Sequence, residues 1–344
     1  MEHGASKLAR HRLARRPLVN LSDSELVRTE LLEPDQALPL VVQPVVRDVD
    51  LAGWAAGNRG FIEDSLSKHG ALLFRGFGVR SISEFEEFAA AACNELFGEY
   101  GDLPREQESE RVYGSTPYPE EMTILFHNES SHMHRWPTRQ FFCCTQPAAE
   151  GGETPIVDCR RIYSALPREI VEEFERKQLM YVRNFTQGLD IGWKDFFKTD
   201  DPARVEAYCR KAHMECEWKP GGLRTRQRRP AVKTHPKTGE KVFFNQIQLH
   251  HTSCLAPQVR EALLSIFAPD DLPRSVYYGD GSPIEDSVAQ LMVEIFWRNA
   301  LSFSWQKGDI LMLDNMLVAH ARKPFRGARK IVVAMGDMLE ESDS

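Results

Sequence analysis

The sequence lacks the features that would send a chain through a membrane or out of a cell. No apolar run approaches the roughly 18 residues that span a bilayer. The basic residues at 11–16 are not followed by an apolar stretch, so no secretory signal is expected there. Cysteine is sparse and odd in number: seven residues without a C-x-x-C pair. That argues against a disulfide scaffold or a zinc knuckle, and reduced thiols in a cytoplasmic protein are expected. Positive charge is not in excess. Forty-three Lys and Arg stand against 50 Asp and Glu, a formal net charge of −7. This is the wrong sign for a nucleic-acid binder, so neither nucleic acid nor membrane is an expected partner. No internal repeat and no strong linker divides the 344 residues.

Along the chain, residues 1–35 are expected as a loosely held N-terminal arm with one short helix. Residues 36–344 are expected as a single domain. The Pro-punctuated apolar run 38–46 suggests an edge strand. Residues 54–69 suggest a helix and 70–77 a short buried strand. Residues 82–97 suggest a helix with Ser83 and Glu86 as its capping box. The polar, Gly- and Pro-rich stretch 98–119 is expected as a loop over a site entrance. Residues 122–126 are apolar, carry a β-branched pair and have no helical period, as in a buried strand. A further strand is expected over 140–145 and a helix over 167–175. Residues 185–240 are irregular in pattern and suggest a lid-like insertion. Beyond them come a strand over 241–247, helices over 257–267 and 284–299, and closing hairpins over 301–338.

On a strand, residues i and i+2 face the same side. His127 and Glu129 therefore aim an imidazole and a carboxylate into one space. One more imidazole would complete the two-His, one-carboxylate set of non-haem iron(II) oxygenases. An H-x-E tripeptide alone is common, and most bind nothing. His132 and His134 lie just past the strand end. His250 and His251 follow the 241–247 strand, and His320 follows the buried run 308–319. Arg329 sits in the apolar run 328–335. Burying it unpaired would be costly, so it faces solvent or an anion. Alternation puts it with Ile331 and Val333, and Lys330 with Val332 and Ala334, without deciding which side is inward.

Together, His127-x-Glu129, Gly151-Gly152-Glu153-Thr154, Trp305 with Gly308-Asp309, Asp314-Asn315, His320 and Arg329 resemble the taurine dioxygenase-like family of iron(II)/2-oxoglutarate oxygenases. Order and spacing match from about residue 70 to 338. The resemblance implies an all-β core with flanking helices, a double-stranded β-helix (jelly roll, cupin-like). It implies His127, Glu129 and His320 as iron(II) ligands. Arg329 would fork onto the distal carboxylate of 2-oxoglutarate with Thr154 beside it, and dioxygen is the second cosubstrate.

The family usually has aspartate where this chain has Glu129. Glutamate there is similar to the clavaminate synthase-like branch, which implies oxidation, most simply hydroxylation, of an amino acid or amino-acid-derived molecule in a natural-product pathway. Val333 stands where sulfonate-specific members carry a second arginine, which disfavours taurine. Glu129 also fills the position that chloride takes in related halogenases. Candidate substrate contacts are Asn128, Ser130, His132, Asn245, Gln246, His250 and Arg322. The cluster Arg224, Arg226, Arg228, Arg229 and Lys233 would suit a peptidyl carrier protein's phosphate or acidic surface; internal pairing, or binding of a substrate carboxylate, is the competing reading. The opposing function is a non-catalytic jelly-roll metal sensor or binding module, which would have no use for Thr154 plus Arg329.

Overall fold

The strand over 135–146 is apolar on both faces. Phe142 and Cys144 enter one core, Phe141 and Cys143 another. Such a strand belongs in the middle of a sheet covered on both sides. The computed structural model describes residues 26–98, 107–115, 118–186 and 191–341, and it has this strand near the centre of a seven-stranded sheet.

In chain order the strands are β1 (Val27–Leu31), β2 (Leu40–Pro44), β3 (Ala71–Phe74), β4 (Tyr113–Gly114), β5 (Ile124–His127) and β6 (Arg135–Gln146). Then come β7 (Glu150–Gly151), β8 (Ile156–Asp158), β9 (Leu179–Thr186), β10 (Met214–Lys219), β11 (Gly222–Arg229) and β12 (Val232–Thr234). The last are β13 (Lys241–Phe243), β14 (Arg274–Tyr278), β15 (Ile310–Asp314), β16 (Val318–Arg322), β17 (Phe325–Arg326) and β18 (Lys330–Glu340). The large sheet runs β1-β2-β3-β15-β6-β18-β4, and a small one runs β5-β16-β8. The main core joins Phe142, Leu311 and Val333 of the large sheet to Ile156, Val318 and Ala319 of the small one. The opposite face of the large sheet is covered by the helices Leu51–Gly57, Arg59–His69 and Ile82–Ala92. Among the described residues no helix is long and apolar enough to cross a membrane.

Several local expectations shift. The described end of the arm, Val27–Leu31, is a strand rather than a helix; residues 1–25 lie outside the described residues. It pairs with β2, so β2 is internal and β1 holds the edge. The capping box belongs to Ser81 and Glu84, two residues earlier than expected. Ser83 lies inside the helix and bonds Glu87 instead. The stretch 98–119 carries the short strand β4, with 99–106 and 116–117 outside the described residues.

The largest difference lies at 185–240. Instead of an irregular lid, the segment supplies two regular helices, Trp193–Phe197 and Pro202–Lys211, and the hairpin β10–β11 of a four-stranded sheet ordered β10-β11-β9-β14. Its basic residues face acidic partners across the hairpin and beyond. Arg226 pairs with Glu217 at 3.0 Å and Arg224 with Asp271 at 2.7 Å. Arg229 is buried and donates to the Ala212 carbonyl, and Lys233 pairs with Glu341 at 2.6 Å. Of the five, Arg228 is exposed.

Between β15 and β16 the chain crosses from the large sheet to the small one through Asp314–Asn315. Asp314 is 1% exposed. It accepts from the backbone N–H of Met316 and Leu317 and from Arg139 and His235. Burial alone would raise its carboxyl; the His235 hydrogen bond and the Arg139 guanidinium overcome this and hold it below the usual range. Removing one partner from a buried pair costs about 3–5 kcal/mol. Asp314→Ala should lose about that much stability at neutral pH, read from denaturant midpoints. A depressed carboxyl contributes only while ionised, so the gap between variant and wild type should narrow as pH falls below about 4.

Candidate active site

β5 and β16 are antiparallel, with His127 and His320 directly opposite each other. Their ring centroids are 4.3 Å apart. β5 ends at His127, and Glu129 sits on the turn that follows. Asn315 holds that turn at both backbone atoms of Glu129. Its Oδ1 accepts from the Glu129 N–H at 2.7 Å, and its Nδ2 donates to the Glu129 carbonyl at 2.9 Å. One ligating atom each of His127, Glu129 and His320 lie within 4.8 Å of one another. Nδ1 of His127 is 2.8 Å from the Leu125 carbonyl. A carbonyl only accepts, so the proton sits on Nδ1 and Nε2 is the nitrogen with the lone pair that could ligate a metal. Two imidazoles and a 4%-exposed carboxylate fit a divalent transition metal with positions left open.

The three groups stand at one end of a cavity of about 690 Å³. Thr154, Arg329, Ile331 and Val333 line it together, so the Arg329 side of its apolar run is the inward one. Arg329 Nε donates to the Gly152 carbonyl at 2.9 Å. Among the described residues no carboxylate forms an ion pair with it. Burial, and behind it the neighbouring Arg322 guanidinium, pulls Arg329 down to about 10. It is still a cation at neutral pH, but one that an anion would relieve. Thr154 Oγ1 accepts from Trp305 Nε1 at 3.1 Å, which leaves the hydroxyl proton to donate elsewhere. Arginine and threonine thus offer donors from two directions, which fits a carboxylate.

A family model for "Taurine catabolism dioxygenase TauD, TfdA family" matches residues 34–335. The chain belongs to the TauD/TfdA family. It is 40% identical over 283 residues to the dapdiamide synthesis protein DdaC of Enterobacter agglomerans, covering 82% of this chain and 86% of that protein. It is 29% identical over 314 residues to the clavaminate synthase-like protein At3g21360 of Arabidopsis thaliana, covering 88% and 89%. Among solved structures it is similar to PvcB of Pseudomonas aeruginosa, with TM-score 0.55, 14% identity and coverage of 94% and 96%. A second structure of PvcB describes it as an Fe, α-ketoglutarate dependent oxygenase from an isonitrile synthetic pathway. AAD-2 in complex with Mn(II) and N-oxalylglycine matches with TM-score 0.55 at 14% identity, covering 91% and 98%. The fold is the jelly roll of this family, and the TauD/TfdA-type chain is an iron(II)/2-oxoglutarate-dependent oxygenase.

Within this TauD/TfdA frame the candidate substrate residues divide. Gln246 and Arg322 line the main cavity. Asn128 and Asn245 do not. Asn128 is 1% exposed, donates to the Asn315 carbonyl and accepts from the Asn245 N–H. Asn245 accepts from the Ile247 N–H and donates to the Ala231 carbonyl. Ser130 has φ 55° and forms the turn after Glu129. His132 and His250 face a separate, much smaller cavity beside Tyr181.

Residues that local pattern did not single out also contribute. Gln140 donates to Glu129, Phe142 packs its ring 5.0 Å from that of His320, and Leu249, Val259 and Arg274 line the cavity. The i, i+2 spacing of Gln140 and Phe142 was the available signal. Leu249, Val259 and Arg274 come from helical and edge segments whose approach is tertiary.

Gly152 has φ +73°, and a Cβ there would meet Arg329 Cδ at 2.9 Å. Gly152→Ala should therefore displace the guanidinium while the fold survives. Strain of this kind is worth about 1–3 kcal/mol. The dissociation constant for 2-oxoglutarate should rise about tenfold or more, and unchanged binding by calorimetry would refute the role given to this contact.

Proposed function

We propose that His127, Glu129 and His320 hold iron(II), and that Arg329 with Thr154 grips the distal carboxylate of 2-oxoglutarate. The single observation that carries this is the three-residue set within 4.8 Å, lining a cavity that is also lined by an arginine without an ion-pair partner among the described residues. Iron(II), when bound with its cosubstrates, supplies the oxidant for a substrate C–H bond. The chain's own groups orient that chemistry. Nδ1 of His127 donates its proton to the Leu125 carbonyl, Asn315 fixes Glu129, and Phe142, Ile331 and Val333 supply an apolar wall to the cavity.

The substrate we infer is an amino acid or amino-acid-derived small molecule of a natural-product pathway, oxidised by one domain over 36–344 in the cytoplasm. Two things support it: the likeness to a dapdiamide synthesis protein and a clavaminate synthase-like protein, and the cavity wall itself. Apart from the metal-site and Arg329–Thr154 groups, that wall carries one acid, Glu121, and two arginines, of which Arg322 is bonded to backbone carbonyls and Arg274 lies among apolar Leu249, Leu255 and Val259. A zwitterion with a side chain matches this mixture. Gln246 and Arg322 also face that space. Delivery on a peptidyl carrier protein remains part of the proposal, but not through the basic cluster, whose members other than Arg228 have internal partners.

The test is 2-oxoglutarate consumption under air with iron(II), with and without each amino acid, free and carrier-loaded. His320→Ala should lose metal-dependent turnover and keep its melting temperature. Arg329→Ala should cost about 2–5 kcal/mol of 2-oxoglutarate binding, by analogy with truncated buried charge pairs. Its Michaelis constant for 2-oxoglutarate should rise far more than that for the main substrate. Equal effects on both constants would remove the assignment. Because Glu129 fills the carboxylate position, chloride or bromide should never appear in the product.

A further inference from the structure

Gln140 is 1% exposed and lines the cavity. It lies on β6, paired with Leu313 of β15 and Met335 of β18. Both neighbours are apolar and buried, so they give no reason for an amide at this point. Its Nε2 is 3.3 Å from Oε2 of Glu129. An ionised carboxylate only accepts, so the amide orientation follows: nitrogen toward Glu129, Oε1 away from it. Oε1 is buried and has no hydrogen-bond partner among the described residues. Met or Leu would fill the same space without that cost. The amide is held against the carboxylate at the expense of its own acceptor. On the same face of β6, two residues on, Phe142 packs against His320. One strand face thus supports two of the three groups of the ligand set.

We propose that Gln140 is a positioning residue of the metal centre: it occupies Oε2 of Glu129 so that the other carboxylate oxygen alone is offered to the metal. This rests on the ligand set of the preceding section. Without the amide, nothing on β6 would occupy Oε2, and both carboxylate oxygens could be offered, which would use a position the cosubstrates need.

The experiment uses the full chain, freed of metal, with cobalt(II) alone as the probe. Gln140→Met removes the amide. Gln140→Asn keeps an amide but is one methylene short of Glu129, so it separates loss of the hydrogen bond from loss of a polar group. Both should bind cobalt(II) about ten- to a hundredfold more weakly than wild type. Their melting curves should be native, and the visible absorption of bound cobalt should change in intensity as the coordination number changes. Infrared difference spectra of the wild type need no variant. The splitting of the carboxylate stretches on cobalt binding should be wide, the mark of one-oxygen ligation. Unchanged affinity and spectrum in folded variants, or a narrow wild-type splitting, would overturn the proposal. If His320→Ala binds cobalt as wild type does, the ligand set fails instead, whatever the Gln140 variants do.

Discussion

The Asp314–Asn315 turn is the joint on which the site depends. β15 belongs to the large sheet and β16 to the small one, so the spacing of the two sheets is set where the chain passes between them. Asn315 is fully buried and uses its whole amide there. It donates to the carbonyls of Glu129 and Pro137 and accepts from the Glu129 N–H. Its backbone carbonyl takes Nδ2 of Asn128, and its N–H reaches the Thr138 carbonyl. A buried polar network this fully satisfied admits one arrangement and penalises others. It fixes the Glu129 turn to the start of β16. The pairing of β5 with β16, which sets His127 opposite His320 before the register shifts at Arg322, then fixes the two histidines to each other. The His127–Glu129 pair and His320, nearly 200 residues further on, are thereby brought into one local geometry.

Legibility from the sequence followed the range of the forces involved. The turn at Asp314–Asn315 is a local fact, written in turn chemistry. Alternation was the wrong reason for joining His127 to Glu129: the strand expected over 122–126 runs Ile124–His127 with only Phe126 buried, and Glu129 lies on the turn beyond it, held there by Asn315. The choice among His250, His251 and His320 was not local, and it needed a resemblance. Alternation grouped Arg329 with Ile331 and Val333, but the inward side could be known only from what lay opposite. The shift of the capping box from Ser83 to Ser81 is a two-residue ambiguity between serines equally able to cap. The segment 185–240 misled for a physical reason. Its alternating arginines are strand positions paired across a hairpin with Glu217 and, beyond it, with Asp271, and such pairing leaves no apolar period to read. Asn128 and Asn245 drew notice as polar groups beside the motif. They are the mortar of the turn, bonded to each other and to backbone.

The charge distribution of the cavity explains why one of two adjacent arginines is the better candidate for an anion. Arg322 and Arg329 both lie over the Phe325 ring, at 5.2 and 5.4 Å. Burial lowers both from the usual value; the Arg322 guanidinium lowers Arg329 further, while Arg322 itself is favoured by Tyr118, Glu120 and Glu121. Arg322 has already spent its terminal nitrogens on the carbonyls of Tyr118, Pro119 and Met122. It is a strut that holds the 118–122 wall of the cavity, and it has little left for a ligand. Among the described residues Arg329 commits Nε alone, to Gly152, and keeps the fork that a carboxylate matches. A dianionic cosubstrate arriving there would relieve the repulsion that Arg322 exerts on Arg329 while displacing no protein hydrogen bond of Arg322. The second cation therefore does more than shape the wall. By raising the cost of the empty pocket it increases the differential that an anion gains on entry, and it places that gain beside the groups that would hold the metal.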